Sequence, residues 1–161
     1  MIDNRNKDIV ALRKRMDKLL LGLLHNGGYI RESVSDTTEL WLTNGIAAVL
    51  YDSDDVNLSE EKMQKTQAIN EIVECGRQCV NKPEAHVKYY KPSGDRLGAV
   101  LEDKTGCRLM VNNDYLKLFG DKFIYKLYSP LKEDVMQVPT VFVFYFDDLV
   151  GLIMPIETKQ S

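Results

Sequence analysis

Cysteine is scarce in this chain, three residues in 161, and an odd count behind a polar start (Met-Ile-Asp-Asn-Arg-Asn-Lys-Asp) offers neither a disulfide framework nor a signal-peptide core. Reduced thiols and a cytoplasmic location are therefore expected. Long apolar runs are missing as well. The best stretch, 138–156, is broken by Pro139, Asp147, Asp148, Gly151 and Pro155, which excludes a membrane-spanning helix from this sequence. Histidine is rarer still. Neither His25 nor His86 has a nucleophile and an acid at recognisable spacing, so no catalytic triad is read. The glycines follow neither the phosphate-loop nor the dinucleotide pattern, and no cofactor is called for.

What is present is an ordinary globular composition, 44% apolar and 28% charged with a net charge of −3. A chain of this length is expected to fold as one domain, 1–161, able to bury on the order of two-thirds of its unfolded surface without a disulfide or metal. The charge is unevenly spread. Arg5, Lys7, Arg13, Lys14, Arg15 and Lys18 face only Asp8 and Asp17 in the same stretch. That local basic excess makes Arg13, Lys14, Arg15 and Lys18 candidates for contact with nucleic-acid phosphate, against the plainer reading of a solvated helix face.

Apolar residues at Ile9, Leu12, Met16, Leu19, Leu20, Leu23 and Leu24 recur at steps of three and four, predicting an amphipathic helix that ends at Asn26-Gly27-Gly28. Residues 29–34 read as a short strand. Runs 39–43 and 46–51 flank Asn44-Gly45, the pair best suited to a two-residue type I′ hairpin turn. A helix over 58–81 is predicted, capped by Ser59, with Glu60 and Glu61 in its first turn and an apolar face of Ile69, Ile72, Val73, Gly76, Cys79 and Val80. Strands are predicted at 85–91, 96–102 and 107–111, then a short helix at 115–119 capped from Asn112-Asn113-Asp114. Three further strands, 123–128, 140–146 and 149–154, complete the order. The units are thus a helix plus hairpin (5–51), a second helix (58–81) and a strand-helix-strand region (85–157). The fold class is α+β, an antiparallel sheet with two longer helices and one short one, since turns this short do not make parallel crossovers.

Several motifs invite chemistry. Tyr145-Phe146-Asp147-Asp148 is similar to the Tyr-x-Asp-Asp motif of template-directed polymerases, where paired acids hold magnesium, but a third acid, a phosphate site and a template cleft are needed as well. Two polar residues turning one strand into the next explain the acids more simply. The acidic stretch Asp52 to Glu61 fails the calcium-loop pattern, with Val56, Asn57 and Met63 at positions that require ligands or glycine. Cys75 and Cys79 share a helix face, yet Cys107 and His86 lack the close pairing that zinc sites show, so no metal is assigned.

One region carries a family resemblance. Strand 107–111, the helix opening Asn112, Tyr115, Leu116, the strand beginning at Pro139 and the closing Met154-Pro155 resemble the last half-domain of a bacterial DNA sliding clamp, and the Thr43-Asn44-Gly45 hairpin is similar to the Thr-Asp-Gly hairpin of clamp domains. The resemblance spans 107–157. It implies a clamp-like fold, a bacteriophage or mobile-element origin, a DNA-facing helix through Arg13, Lys14, Arg15 and Lys18, and a peptide groove lined by Val150, Met154 and Pro155. The tail Ile156-Glu157-Thr158-Lys159-Gln160-Ser161 replaces the clamp's basic-hydrophobic end.

Three readings follow. The first is a non-enzymatic interaction module with a clamp-like fold that binds replication proteins or DNA-bound proteins. The second is an inhibitor of a host defence protein, its acidic loops at Asp52 to Asp55, with Asp54 and Asp55 as contacts, and at Asp147-Asp148 imitating phosphate. An enzyme built on Tyr145 to Asp148 ranks last. The expected partner is a protein, with weak contact to duplex DNA and a homo-oligomer left open, and no membrane.

Overall fold

Alternation along the strands settles how the chain layers itself. In 39–43, Leu40 and Leu42 point to one side and Trp41 to the other; in 140–145, Val141 and Val143 oppose Phe142 and Phe144, and all seven are buried. A sheet apolar on both faces needs a cover on each. The computed structural model describes residues 2–26, 30–34, 39–55, 63–65, 68–130 and 138–156, with the backbone alone for 30–34, 55, 63–65 and 68.

The elements run α1 (Lys7–His25), β1 (Ile30–Val34), β2 (Glu39–Thr43), β3 (Ala47–Asp52), a 3-10 turn (Ser53–Asp55), β4 (Met63–Lys65) and α2 (Ala68–Arg77). They continue with β5 (Ala85–Ser93), β6 (Arg96–Asp103), β7 (Arg108–Asn112), α3 (Asn113–Phe119), β8 (Ile124–Tyr128), β9 (Thr140–Tyr145) and β10 (Asp148–Ile153). The strands form one sheet in the order β4-β1-β2-β3-β10-β9-β8-β5-β6-β7. This is the expected α+β fold with antiparallel sheet.

Helices α1 and α3 cover one face, packing Ile9, Leu12, Met16, Leu20, Leu118 and Phe119 against inward residues of most strands. Helix α2 covers the other, setting Ile69, Val73 and the following Cys79 against Trp41, Phe142 and Phe144. Asn6 caps α1 by accepting from the N–H groups of Asp8 and Ile9, and Asn112 caps α3 by accepting from that of Asp114. Two glycines allow close approach. Gly76 of α2 lies against Phe142 and Leu149, and Gly151 of β10 lies under the Phe119 ring.

Four expectations are corrected. The second helix begins at Ala68 rather than residue 58, because its apolar face begins only at Ile69 and a short helix holds together by packing such a face. Residues 63–65 form an edge strand instead, and Ser59, Glu60 and Glu61 lie outside the described residues, as do Gly27, Gly28 and Tyr29. Among the described strands, β4 pairs parallel with β1, the exception to the antiparallel pairing, with the β2–β3 hairpin lying between them in the chain. The β2–β3 loop holds three residues, and only Gly45 is left-handed (φ 96°). Asn44 makes the turn with its side chain, whose Oδ1 accepts from the N–H groups of Ile46 and Ala47 at 3.0 Å each, so a mirror-image backbone turn is unnecessary. Finally, the β9–β10 turn is Phe146-Asp147; Asp148 already belongs to β10 and pairs with Tyr145.

Candidate functional site

A cleft of about 930 Å³ opens where four regions distant in sequence converge: residues 2–5, the end of β3, the end of α2 and the β9–β10 turn. Each is brought there by the sheet order, which places β3 beside β10, and by α2 lying across those strands.

Its floor is built around Arg13. This residue stands on the inward side of α1, and the guanidinium, buried at 8% exposure, donates from Nε to the Leu50 carbonyl at 2.9 Å and from Nη1 to Asn4 Oδ1 at 2.8 Å. The amide of Asn4 then donates to Asp52 Oδ2 at 2.9 Å. The Arg13 guanidinium carbon also lies 5.6 Å from the centre of the Tyr51 ring. Tyr51 Oη donates to Asp17 Oδ1 at 2.8 Å, and burial, reinforced by that carboxylate, pushes its hydroxyl well above the usual tyrosine range.

The walls are charged. Among the described residues lining the cleft, the acids are Asp3, Glu39, Asp52, Asp147 and Asp148 and the bases Arg5, Arg13 and Arg77. Arg13 is engaged as above, and Arg77 bridges Glu39 and Glu74. Five acids against three arginines leave the lining net negative, so the cleft suits a cationic group. Among the described residues no three His, Cys, Asp or Glu side chains are grouped closely enough to hold a metal ion.

In the β9–β10 turn, one residue before the cleft-lining Asp147, Phe146 is 74% exposed and left-handed at φ 55°. A bulky side chain costs about 1–2 kcal/mol in that conformation, and the first central position of such a turn is one where glycine is favoured. Its ring meets that of Tyr145 edge-on at 4.9 Å, and Tyr145 Oη donates to Asp8 Oδ2 at 2.9 Å. That bond to the Asp8 carboxylate holds the Tyr145 hydroxyl above its ordinary pKa.

The sequence-derived candidates separate in space. Asp54 is exposed beside the cleft and its N–H donates to Asp52 Oδ1; Asp55 contributes backbone to the 3-10 turn, and its side chain lies outside the described residues. Lys14 and Lys18 are exposed on α1. Of the other two basic residues, Arg13 is buried, and Arg15, exposed on α1, donates to the carbonyls of Leu118 and Phe119, closing the end of α3 where free carbonyls attract a cation. The expected groove residues separate as well. Val150 is buried at 2% exposure in the core under α1 and α3, while Met154 and Pro155 are half-buried. Sequence reasoning missed Asn4, Arg77 and Phe146. An aromatic residue directly before two turn acids was the one available signal.

Comparison of the chain with protein-family models, with curated proteins and with solved structures finds no match. No helix among the described residues is long and apolar enough to cross a membrane.

Proposed function

We propose that this chain is a non-enzymatic interaction module whose acidic cleft receives a basic segment of a protein partner, a segment of the kind that otherwise meets nucleic-acid phosphate. The observation that carries the reading is the convergence of Asp52 with Asp147 and Asp148 in one cleft where acids outnumber arginines. Carboxylates gathered on a surface imitate the charge of a nucleic-acid backbone, and such complementarity speeds encounter and selects partners. Phe146, exposed in the turn next to the cleft-lining Asp147, would supply the apolar anchor that charge alone lacks, since aromatic residues commonly dominate binding energy. This favours a partner that handles DNA, either a host defence protein disabled by the contact or a replication protein, as the clamp resemblance implies. Arg13 and Val150, two residues that the clamp reading leans on, are turned inward, so its support rests on Lys14, Arg15, Lys18, Met154 and Pro155.

The test uses a fluorescent arginine-rich peptide titrated into the purified protein. Binding should weaken with salt, and the triple variant Asp52→Asn, Asp147→Asn, Asp148→Asn should lose about tenfold or more in affinity. Equal binding by the triple variant refutes the cleft. A mobility shift of duplex DNA that disappears in Lys14→Glu, Lys18→Glu, with the peptide ignored, would instead favour the clamp reading.

A further inference from the structure

Far from the cleft, the sheet leaves main chain uncovered. β5 is nine residues long and pairs with β6 from Ala85 to Ser93 with a register break at Lys88, but on its other side β8 meets it at one register position, Ala85 opposite Tyr125. From His86 onward no described strand neighbours that edge. The residues there are exposed, among them Val87 (38%), Tyr89 (44%) and Tyr90 (56%). Unpaired strand edges are templates for another strand, and proteins normally shield them.

We propose that this edge, Val87 to Lys91, is a strand-addition site for an extended acidic peptide of a partner. The occupant follows from charge. Between His86 and Leu97 the arm carries Lys88, Lys91 and Arg96 against Asp95 alone, in a chain whose net charge is −3. Glu102, the acid across from this segment, is shared by Lys88 Nζ (3.1 Å) and the Arg108 guanidinium, so it neutralises one of two cations. A second copy of the chain is disfavoured. Antiparallel pairing of two such edges about a two-fold between Tyr89 and Tyr90 sets Lys88 of each copy opposite Lys91 of the other, a like-charge pair. A single-stranded nucleic acid would need a shared stacking platform. Tyr89 pairs with Val100 and Tyr90 with the adjacent Ala99, so the two rings leave opposite faces of the strand and do not make one. An extended peptide uses the backbone instead, which is indifferent to face, and acidic residues at alternate positions meet Lys88 and Lys91. Pro92 has no N–H and bounds the ladder.

The test is hydrogen exchange of the full chain with a synthetic peptide alternating glutamate and valine. Protection of the amides from Val87 to Lys91 should rise about threefold or more, lost in Lys88→Glu, Lys91→Glu and absent with the same peptide N-methylated at alternate residues. Protection should persist in Asp52→Asn, Asp147→Asn, Asp148→Asn, which separates this site from the cleft. Equal protection by the N-methylated peptide overturns strand addition. Protection of these amides by oligothymidylate rather than by the peptide assigns the edge to nucleic acid, and a dimer whose formation protects them assigns it to self-association; either result overturns the proposal.

Discussion

Tyr145 Oη donates to Asp8 Oδ2 at 2.9 Å, tying the hairpin that carries Phe146 to the first turn of α1. The bond joins residues near opposite ends of the chain and steadies the turn at the mouth of the cleft. Tyr145→Phe removes it while keeping the ring packed between Phe123 and Phe146. Amide exchange at residues 145–148 should accelerate severalfold, with the melting temperature nearly unchanged. Unaltered exchange would mean that the aromatic stack alone holds the turn.

Phe146 itself sits in a conformation that asparagine tolerates far better. Phe146→Asn should therefore stabilise the protein by about 0.5–1 kcal/mol, raising the melting temperature by a few degrees, while weakening capture of the arginine-rich peptide. Gain in stability with loss of binding is the pattern of a strained residue retained for contact.

Arg13 is structural in this arrangement. Arg13→Ala leaves the Leu50 carbonyl and Asn4 without their donor and removes the contact with Tyr51, and should cost about 2–4 kcal/mol in urea denaturation. Lys14→Ala, on the exposed side of the same helix, should change stability by less than about 0.5 kcal/mol.

At Gly76 an added methyl would stand 2.6 Å from the Phe142 ring and 2.9 Å from Leu149. Alanine is the better helix former by about 1 kcal/mol, but crowding a packed interface costs about 1–3 kcal/mol. Gly76→Ala should lower the urea midpoint with the slope unchanged.

Burial, with Cys75 nearby, pushes the Cys79 thiol up to about 11. A group whose folded pKa is raised holds its proton longer in the folded state, so its contribution is complete below the unfolded value near 9.0 and is lost as pH rises towards 11. Stability measured by denaturation should begin to fall above pH 9. Cys79→Ala should reduce that first part of the decline, before the tyrosines titrate, leaving the share of Cys107, whose thiol is also pushed up by burial.

Much of the fold is legible in order. The stripe from Ile9 to Leu20 is the buried side of α1, and the Asn112 cap and the apolar face from Ile69 mark elements that formed. What misled was polar sequence with good helix-forming residues ahead of Ile69. Propensity alone is a weak guide to a helix without an apolar face, and an edge strand took residues 63–65 of that stretch. The site was legible only in pieces. Asp52 to Asp55 and Asp147-Asp148 stood out as acidic turns, but nothing in their spacing joined them.

The sequence by itself determined composition, charge, the alternation that demands covers on both faces of a sheet, and the turns where acids gather. These are local properties, set by which side chains are adjacent along the chain. Only the tertiary structure decided that β3 lies beside β10, that Arg13 turns inward while Lys14 faces out, and that β5 runs on past β8. Strand order and the burial of one cation rather than its neighbour depend on contacts between distant segments, and no local pattern encodes those.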